Sequence, residues 1–167
     1  MNKIEFNTHI KAPIQHCFDL ARSIDFHKLS VGPIKEEFVA GCTTGLIGYN
    51  QHVLMQSELW GVHFSTEMKI VKFNPPFFLS YEMTDSCFIS VIHDYYFYDI
   101  HEETVMINHF YYQTKWGLLG ELFSFLFLEK FLSKIIAKRN DMLREYAETE
   151  KWKDILPTPE LEVAIVC

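Results

Sequence analysis

The side chains with the most chemical reach in this sequence are His93, Tyr81, Tyr95, Tyr112 and Asn108, all in stretches of alternating polar and apolar residues. A histidine such as His93 can serve as a general base, or as a neutral donor that orients a carbonyl or hydroxyl. The phenols can hydrogen-bond the polar end of a bound molecule or fill a core. An amide such as Asn108, set among apolar neighbours, must find partners. None of them sits in a catalytic motif: Ser90 lies near His93 but without the strand-turn-helix of a nucleophile elbow. The eight histidines contain no H-x-H or H-E-x-x-H spacing, so no metal is expected. His93 and His109 could share a metal only on one face of a sheet, and alternation puts them on opposite faces. Gly41, Gly45 and Gly48 are not followed by a helical pattern, which removes the phosphate loop. No cofactor is expected.

The elements that must position these groups are constrained first by size. A chain of 167 residues is long enough for one domain and buries roughly 70% of its unfolded surface, so it requires no disulfide or metal staple. Hydrophobic residues make up 49% and charged residues 22%, a globular balance. Fifteen basic against 22 acidic residues leave a net charge of −7, the wrong sign for a nucleic-acid binder. Fifteen Phe, eight Tyr and three Trp give a ring content of 16%, enough to line an apolar cavity as well as a core. The N-terminus has no signal-peptide pattern, and the densest apolar run, Leu122 to Leu128, is far below the roughly 18 residues of a membrane span. Cys17, Cys42, Cys87 and Cys167 are scattered singly and read as reduced thiols, so a cytoplasmic location is expected.

Period-2 alternation marks a first strand over residues 3–10. Ala12-Pro13 then opens a helix with Ile14, Cys17, Phe18 and Ala21 on one face, and Ser23 or Asp25 can cap a second short helix through Leu29. Six further alternating runs follow, at about 36–41, 48–59, 62–73, 77–84, 88–100 and 103–113, separated by turn-prone residues. One long helix from Glu121 to about Glu148 closes the pattern. Its stripe of Leu118, Leu122, Phe125, Leu132, Ile136 and Leu143 is what a helix lays on a sheet. Phe123, Phe127 and Phe131 form a second apolar line, suited to packing on loops or a partner chain, or to a lip over a cavity mouth. Short connections and a single covering helix predict an α+β fold, a curved seven-stranded antiparallel sheet gripping the C-terminal helix. Alternation points Val53, Met55, Ser57 and Leu59 inward, then Phe64, Thr66, Met68 and Ile70, then Phe77, Leu79, Tyr81 and Met83. The last two strands carry rings on both faces and stay ambiguous.

In this order the chain resembles the SRPBCC superfamily, the START-like helix-grip proteins, and within it the bacterial polyketide-cyclase/dehydrase-type, or cell-division-inhibitor-like, branch. The residues that carry the resemblance are Ile10-Lys11-Ala12-Pro13, Gly45-Leu46-Ile47-Gly48, Gly61, Asn74-Pro75-Pro76, Ser86-Cys87-Phe88, His93, Phe97, Gly117-Leu118-Leu119-Gly120 and Lys138-Arg139-Asn140. It spans roughly residues 1–148 as a single domain and leaves 149–167 as a tail. The resemblance implies a deep cavity between sheet and helix that holds a hydrophobic ligand. It also implies an inward polar set of F-x-D-x-Q, H-x-H-x-F and D-x-x-x-Y type. These patterns fall on Leu79, Tyr81 and Met83, on His93, Tyr95 and Phe97, and on Asn108 and Tyr112. Two acids, one amide and one histidine of those patterns are replaced, leaving His93 as the candidate catalytic group without an acidic orienter.

The expected ligand site is therefore lined by Met55, Met68, Tyr81, Met83, His93, Tyr95, Asn108, Tyr112 and Leu122. The expected function is binding of a lipid, isoprenoid or polyketide-like molecule. The alternatives are a cyclase or dehydratase using His93, and an interaction module built on the ring-rich outer face. In the tail, Pro157 and Pro159 end any helix, and Leu161, Val163 and Ile165 alternate with polar residues or alanine. Such a segment can add to a sheet edge, in its own chain or in a homodimer.

Overall fold

The computed structural model describes residues 1–31, 35–59, 61–85, 88–115 and 127–157. Strand β1 (Asn2–Ile10) leads into helices α1 (Ile14–Ala21) and α2 (Ile24–Ser30). Strands β2 (Lys35–Gly41), β3 (His52–Leu59), β4 (Val62–Asn74), β5 (Phe78–Asp85), β6 (Phe88–Ile100) and β7 (Glu103–Thr114) follow. Helix α3 (Glu129–Glu148) and a 3-10 turn (Glu150–Asp154) end the described chain. The seven strands make one antiparallel sheet in the order β1-β7-β6-β5-β4-β3-β2, and α3 lies against β1, α1 and α2. This is the helix-grip α+β architecture that the hydropathy pattern predicts.

The strands form where side chains alternate, and their ends follow from turn chemistry. Strand β3 begins at His52 rather than at residue 48. Gly48–Gln51 is a closed turn, in which Gln51 N donates to Gly48 O at 3.2 Å and Asn50 takes a left-handed φ of 63°. His101 and Glu102, at φ 54° and 68°, form a tight two-residue connection between β6 and β7, whose twist suits the flanking strands. Gly41 has a φ of +77°, and a Cβ there would collide with the His52 carbonyl, so only glycine fits.

Ser23, not Asp25, caps α2: its hydroxyl accepts from Phe26 N at 3.2 Å. Asp25 instead accepts from Gly45 N at 2.8 Å and ties the β2–β3 loop to the helix. The predicted face of α1 is the observed one, with Cys17, Phe18 and Ala21 buried; the Phe18 ring meets Phe73 and Phe97 at 5.5 and 5.7 Å. A bulge between Ile70 and Lys72 reverses the parity of β4, so that Phe73 turns inward beside Leu79.

On α3 the buried stripe is Ile136, Asn140, Leu143 and Ala147, while Lys134, Lys138, Asp141, Arg144 and Glu145 face solvent. Leu118, Leu122, Phe123 and Phe125 lie outside the described residues. Of the second apolar line, Phe127 is 63% exposed and Phe131 half-buried. Beyond α3 the chain folds back: Trp152 stacks on His16 at 4.1 Å and Leu156 joins the core. The alternating segment 161–165 lies outside the described residues, as do Cys87 and Cys167. Among the described residues no helix is long and apolar enough to cross a membrane.

Candidate functional site

The concave face of the sheet settles the ambiguity of β6 and β7. Val91, His93, Tyr95 and Phe97 point inward from β6, and Met106, Asn108, Phe110 and Tyr112 from β7. His109 lies on the other face, opposite Asp94, so the two histidines do not meet. Among the described residues no cluster of three potential metal ligands forms.

Two apolar clusters fill this concavity. The larger contains Tyr81, Tyr95, Phe97, Met106 and Leu143, together with α1, α2 and the buried parts of β3 to β5. The smaller contains Ile4, Val91, Phe110, Tyr112 and Ile136. Between them, three elements interrupt their apolar rows: β7 with Asn108, which faces Tyr95, β6 with His93, one rung further along and facing Phe110, and α3 with Asn140. These residues are 0%, 4% and 3% exposed, so they make a polar belt across an otherwise apolar interior. Asn140 Nδ2 donates to Asn108 Oδ1 at 2.9 Å, linking helix to sheet through the belt. Tyr95 stands directly across from Asn108 on the neighbouring strand, and its ring packs on His93 at 4.1 Å.

The belt is only partly satisfied. His93 Nε2, Tyr95 Oη, Asn108 Nδ2 and Asn140 Oδ1 are buried without a hydrogen-bond partner, as is Nε of neighbouring Arg139. Whichever way the two amides are oriented, their mutual bond uses one donor and one acceptor and leaves one of each over. A buried polar atom left unpaired costs about 1–3 kcal/mol, more if the group is charged. Five of the nine such atoms among the described residues belong to these side chains, which gather them at the junction of the two clusters.

Arg139 governs the electrostatics. It donates from Nη1 to Nδ1 of His27 at 2.8 Å, and a guanidinium cannot accept, so His27 Nδ1 carries no proton. His27 Nε2 then carries it and donates to Glu36 Oε2 at 3.1 Å. A neutral imidazole thus relays between cation and carboxylate, and burial, with the Arg139 charge second, holds His27 below the usual histidine range. Among the described residues no carboxylate pairs with Arg139 directly. Burial also pushes His93 well below that range, with Arg139 and His27 adding to the effect. It drives the Tyr81 and Tyr95 phenols up, so all three groups are neutral near neutral pH.

The structure therefore brings His93, Tyr95, Tyr81 and Asn108 together. Tyr81 is already committed, donating its hydroxyl to Ala21 O at 2.8 Å. Tyr112 lies in the smaller apolar cluster, edge-on to Phe88 at 6.2 Å. Met55 and Met68 are buried in the larger cluster, and Met83, across from Met68, packs against both clusters. Leu122 lies outside the described residues. Sequence reasoning gave no site role to His27, Glu36, Arg139 or Asn140. Asn140 had a signal, since it fills the gap between Ile136 and Leu143 in the helical stripe at the i+4 and i−3 positions.

Surface concavities are also present among the described residues. One of about 340 Å³ opens between β1 and α3, lined by Phe6, Thr8, Ala137, Asn140 and Arg144, and reaches the belt at Asn140. Another, of about 660 Å³, lies along β2 to β4, where Lys35, Glu37, Glu58 and His63 share the lining with Ser57 and Phe64 of the inward rows.

No family model matches the sequence, and no curated protein is similar to it. Solved structures are similar. A protein from Chromobacterium violaceum superposes with a TM-score of 0.69 at 8% identity, covering 89% of this chain and 98% of its own. A START superfamily protein from Mycobacterium smegmatis gives 0.64 at 8% identity, covering 87% and 97%. The Zhui aromatase/cyclase from a Streptomyces species, strain R1128, gives 0.57 at 12% identity, covering 91% and 93%. The chain has a START-like helix-grip fold. At these identities the likeness extends to the fold alone.

Proposed function

We propose that the protein binds a hydrophobic small molecule, lipid, isoprenoid or polyketide-like, between the concave face of the sheet and α3. The observation that supports this most is the half-satisfied belt. His93 Nε2, Tyr95 Oη, Asn108 Nδ2, Asn140 Oδ1 and Arg139 Nε await partners in an aromatic interior. An apolar pocket with a few convergent polar groups is the usual construction of a small-molecule site. A bound molecule with one polar end would satisfy the belt and lay its apolar body along Met83, Phe110 and Tyr95. The START-like fold of the structural neighbours agrees with this reading.

A proton-transfer enzyme of cyclase or dehydratase type is the weaker reading. A general base works best when its pKa lies near the operating pH, and burial takes His93 well below it. Among the described residues no carboxylate orients the ring, whose contacts are Tyr95 and Phe110. Binding without turnover fits these groups better. The buried thiol of Cys17 suits the cytoplasm, where we place the protein.

Native mass spectrometry of the purified protein, followed by solvent extraction, tests the proposal. The expected result is a mass increment that extraction removes and that His93→Leu with Asn108→Leu abolishes in a folded protein. A chain that carries nothing and takes up no added fatty acid, isoprenoid alcohol or polyaromatic would contradict it.

A further inference from the structure

The belt has a chemical polarity that narrows the ligand class, an inference resting on the binding reading above. Arg139 is the one belt member with a permanent charge, and its guanidinium has five donors and no acceptor. One donor is spent on His27. The Glu36 carboxylate is reached only through that imidazole, so it balances Arg139 at a distance. Nε remains buried and unpartnered. Next to it in the chain, Asn140 is fixed to Asn108, and across from Asn108 stands Tyr95 with a free hydroxyl. Thus three buried groups able to donate, Arg139 Nε, Asn108 Nδ2 and Tyr95 Oη, are without partners on α3, β7 and β6, elements joined by the Asn140–Asn108 bond and the Tyr95–Asn108 strand pairing.

We propose that the bound molecule is an apolar carboxylic acid whose carboxylate is received by Arg139, Tyr95 and Asn108. A carboxylate presents two oxygens and about four lone-pair positions, enough for all three donors. Its charge compensates the guanidinium directly, and charge-assisted bonds of this kind are roughly twice as strong as neutral ones. An alcohol or ester of the same chain offers fewer acceptors and no charge, and would leave the Arg139 guanidinium without a directly paired anion. The Arg139 charge already acts on His93, Tyr81 and Tyr95, which places it within electrostatic reach of the belt.

Isothermal titration of the full chain at pH 8 with dodecanoate, methyl dodecanoate and dodecan-1-ol, and with the octadecenoate series, tests the assignment. The wild type should bind acid at least tenfold more tightly than ester or alcohol. Arg139→Met should lower acid affinity to the ester's level while ester affinity stays within twofold, and Arg139→Lys should keep part of the preference. Equal binding of acid and ester by the wild type would overturn the carboxylate assignment and leave the binding reading standing. A preference that survives Arg139→Met would overturn the role of Arg139. Failure of every compound to bind would count against the binding reading itself. If Arg139→Met does not fold by circular dichroism, the wild-type ratio and Arg139→Lys still decide.

Discussion

At the scale of single residues, the belt combines neutral titratable groups with a paired amide, and each makes a stability statement. Burial holds His93 well below the 6.5 of a free imidazole, whereas the unfolded chain titrates at that value. Between those two pKa values the unfolded chain binds more protons, so stability is complete above pH 6.5 and is lost as pH falls below it. His27, lowered by burial and then by Arg139, acts in the same direction. Each such histidine removes up to about 1.4 kcal/mol per pH unit within its window. His93→Gln should therefore show a shallower fall in melting temperature from about pH 6.5 to 5 than the wild type. Parallel curves would mean that His93 titrates alike folded and unfolded. The amide pair behaves differently. Asn140→Ala strands an oxygen and should cost about 1–3 kcal/mol in urea unfolding, whereas Asn108→Leu with Asn140→Leu should cost less than the two single changes summed. Strict additivity would show that the 2.9 Å bond couples nothing.

At the scale of elements, the caps and stripes that built the sequence reading can be tested individually. Ser23→Ala removes the α2 cap and should destabilise by about 1 kcal/mol, while Asp25→Ala should act through the β2–β3 loop instead. Leu143→Ala empties a fully buried position on α3 and should cost about 2–5 kcal/mol by denaturant unfolding. Strand and helix positions were legible because alternation and the 3.6-residue stripe depend only on which face meets the core. Hence Met55, Met68, Tyr81 and the α1 face Cys17, Phe18 and Ala21 lie where the pattern places them. The turn at Gly48–Gln51 was only partly legible: Gly48 is turn-prone, but the start of β3 falls at His52 because the backbone from Gly48 to Gln51 closes on itself. The bulge after Ile70 was not legible, because it inverts the parity of Phe73 without any change in composition. Half the belt escaped for a related reason. Arg139 and His27 lie 112 positions apart and meet only when α3 crosses α2, and no local pattern encodes that meeting.

At the scale of the whole molecule, the helix-grip fold supplies a concave sheet, a helix across it and a two-part apolar interior with a polar belt between the parts. The chain beyond α3 helps to hold that arrangement, since Trp152 stacks on His16 of α1 and Leu156 enters the core. A protein built only for stability would fill the belt positions with apolar side chains, because pairing polar groups imperfectly in a core is costly. What occupies the interior between β6, β7 and α3 therefore decides whether the protein is a binder. Buried water is the rival occupant, since a polar space with several partners can hold it. The most direct measurement is a crystal structure of the protein as purified, without solvent extraction, at a resolution that distinguishes water from a carbon chain. A ligand-binding protein should show continuous density leading from the belt into the apolar clusters, with an oxygen within hydrogen-bonding distance of Tyr95 Oη and Asn108 Nδ2. Discrete waters satisfying every belt atom, or side chains closing the space completely, would contradict it.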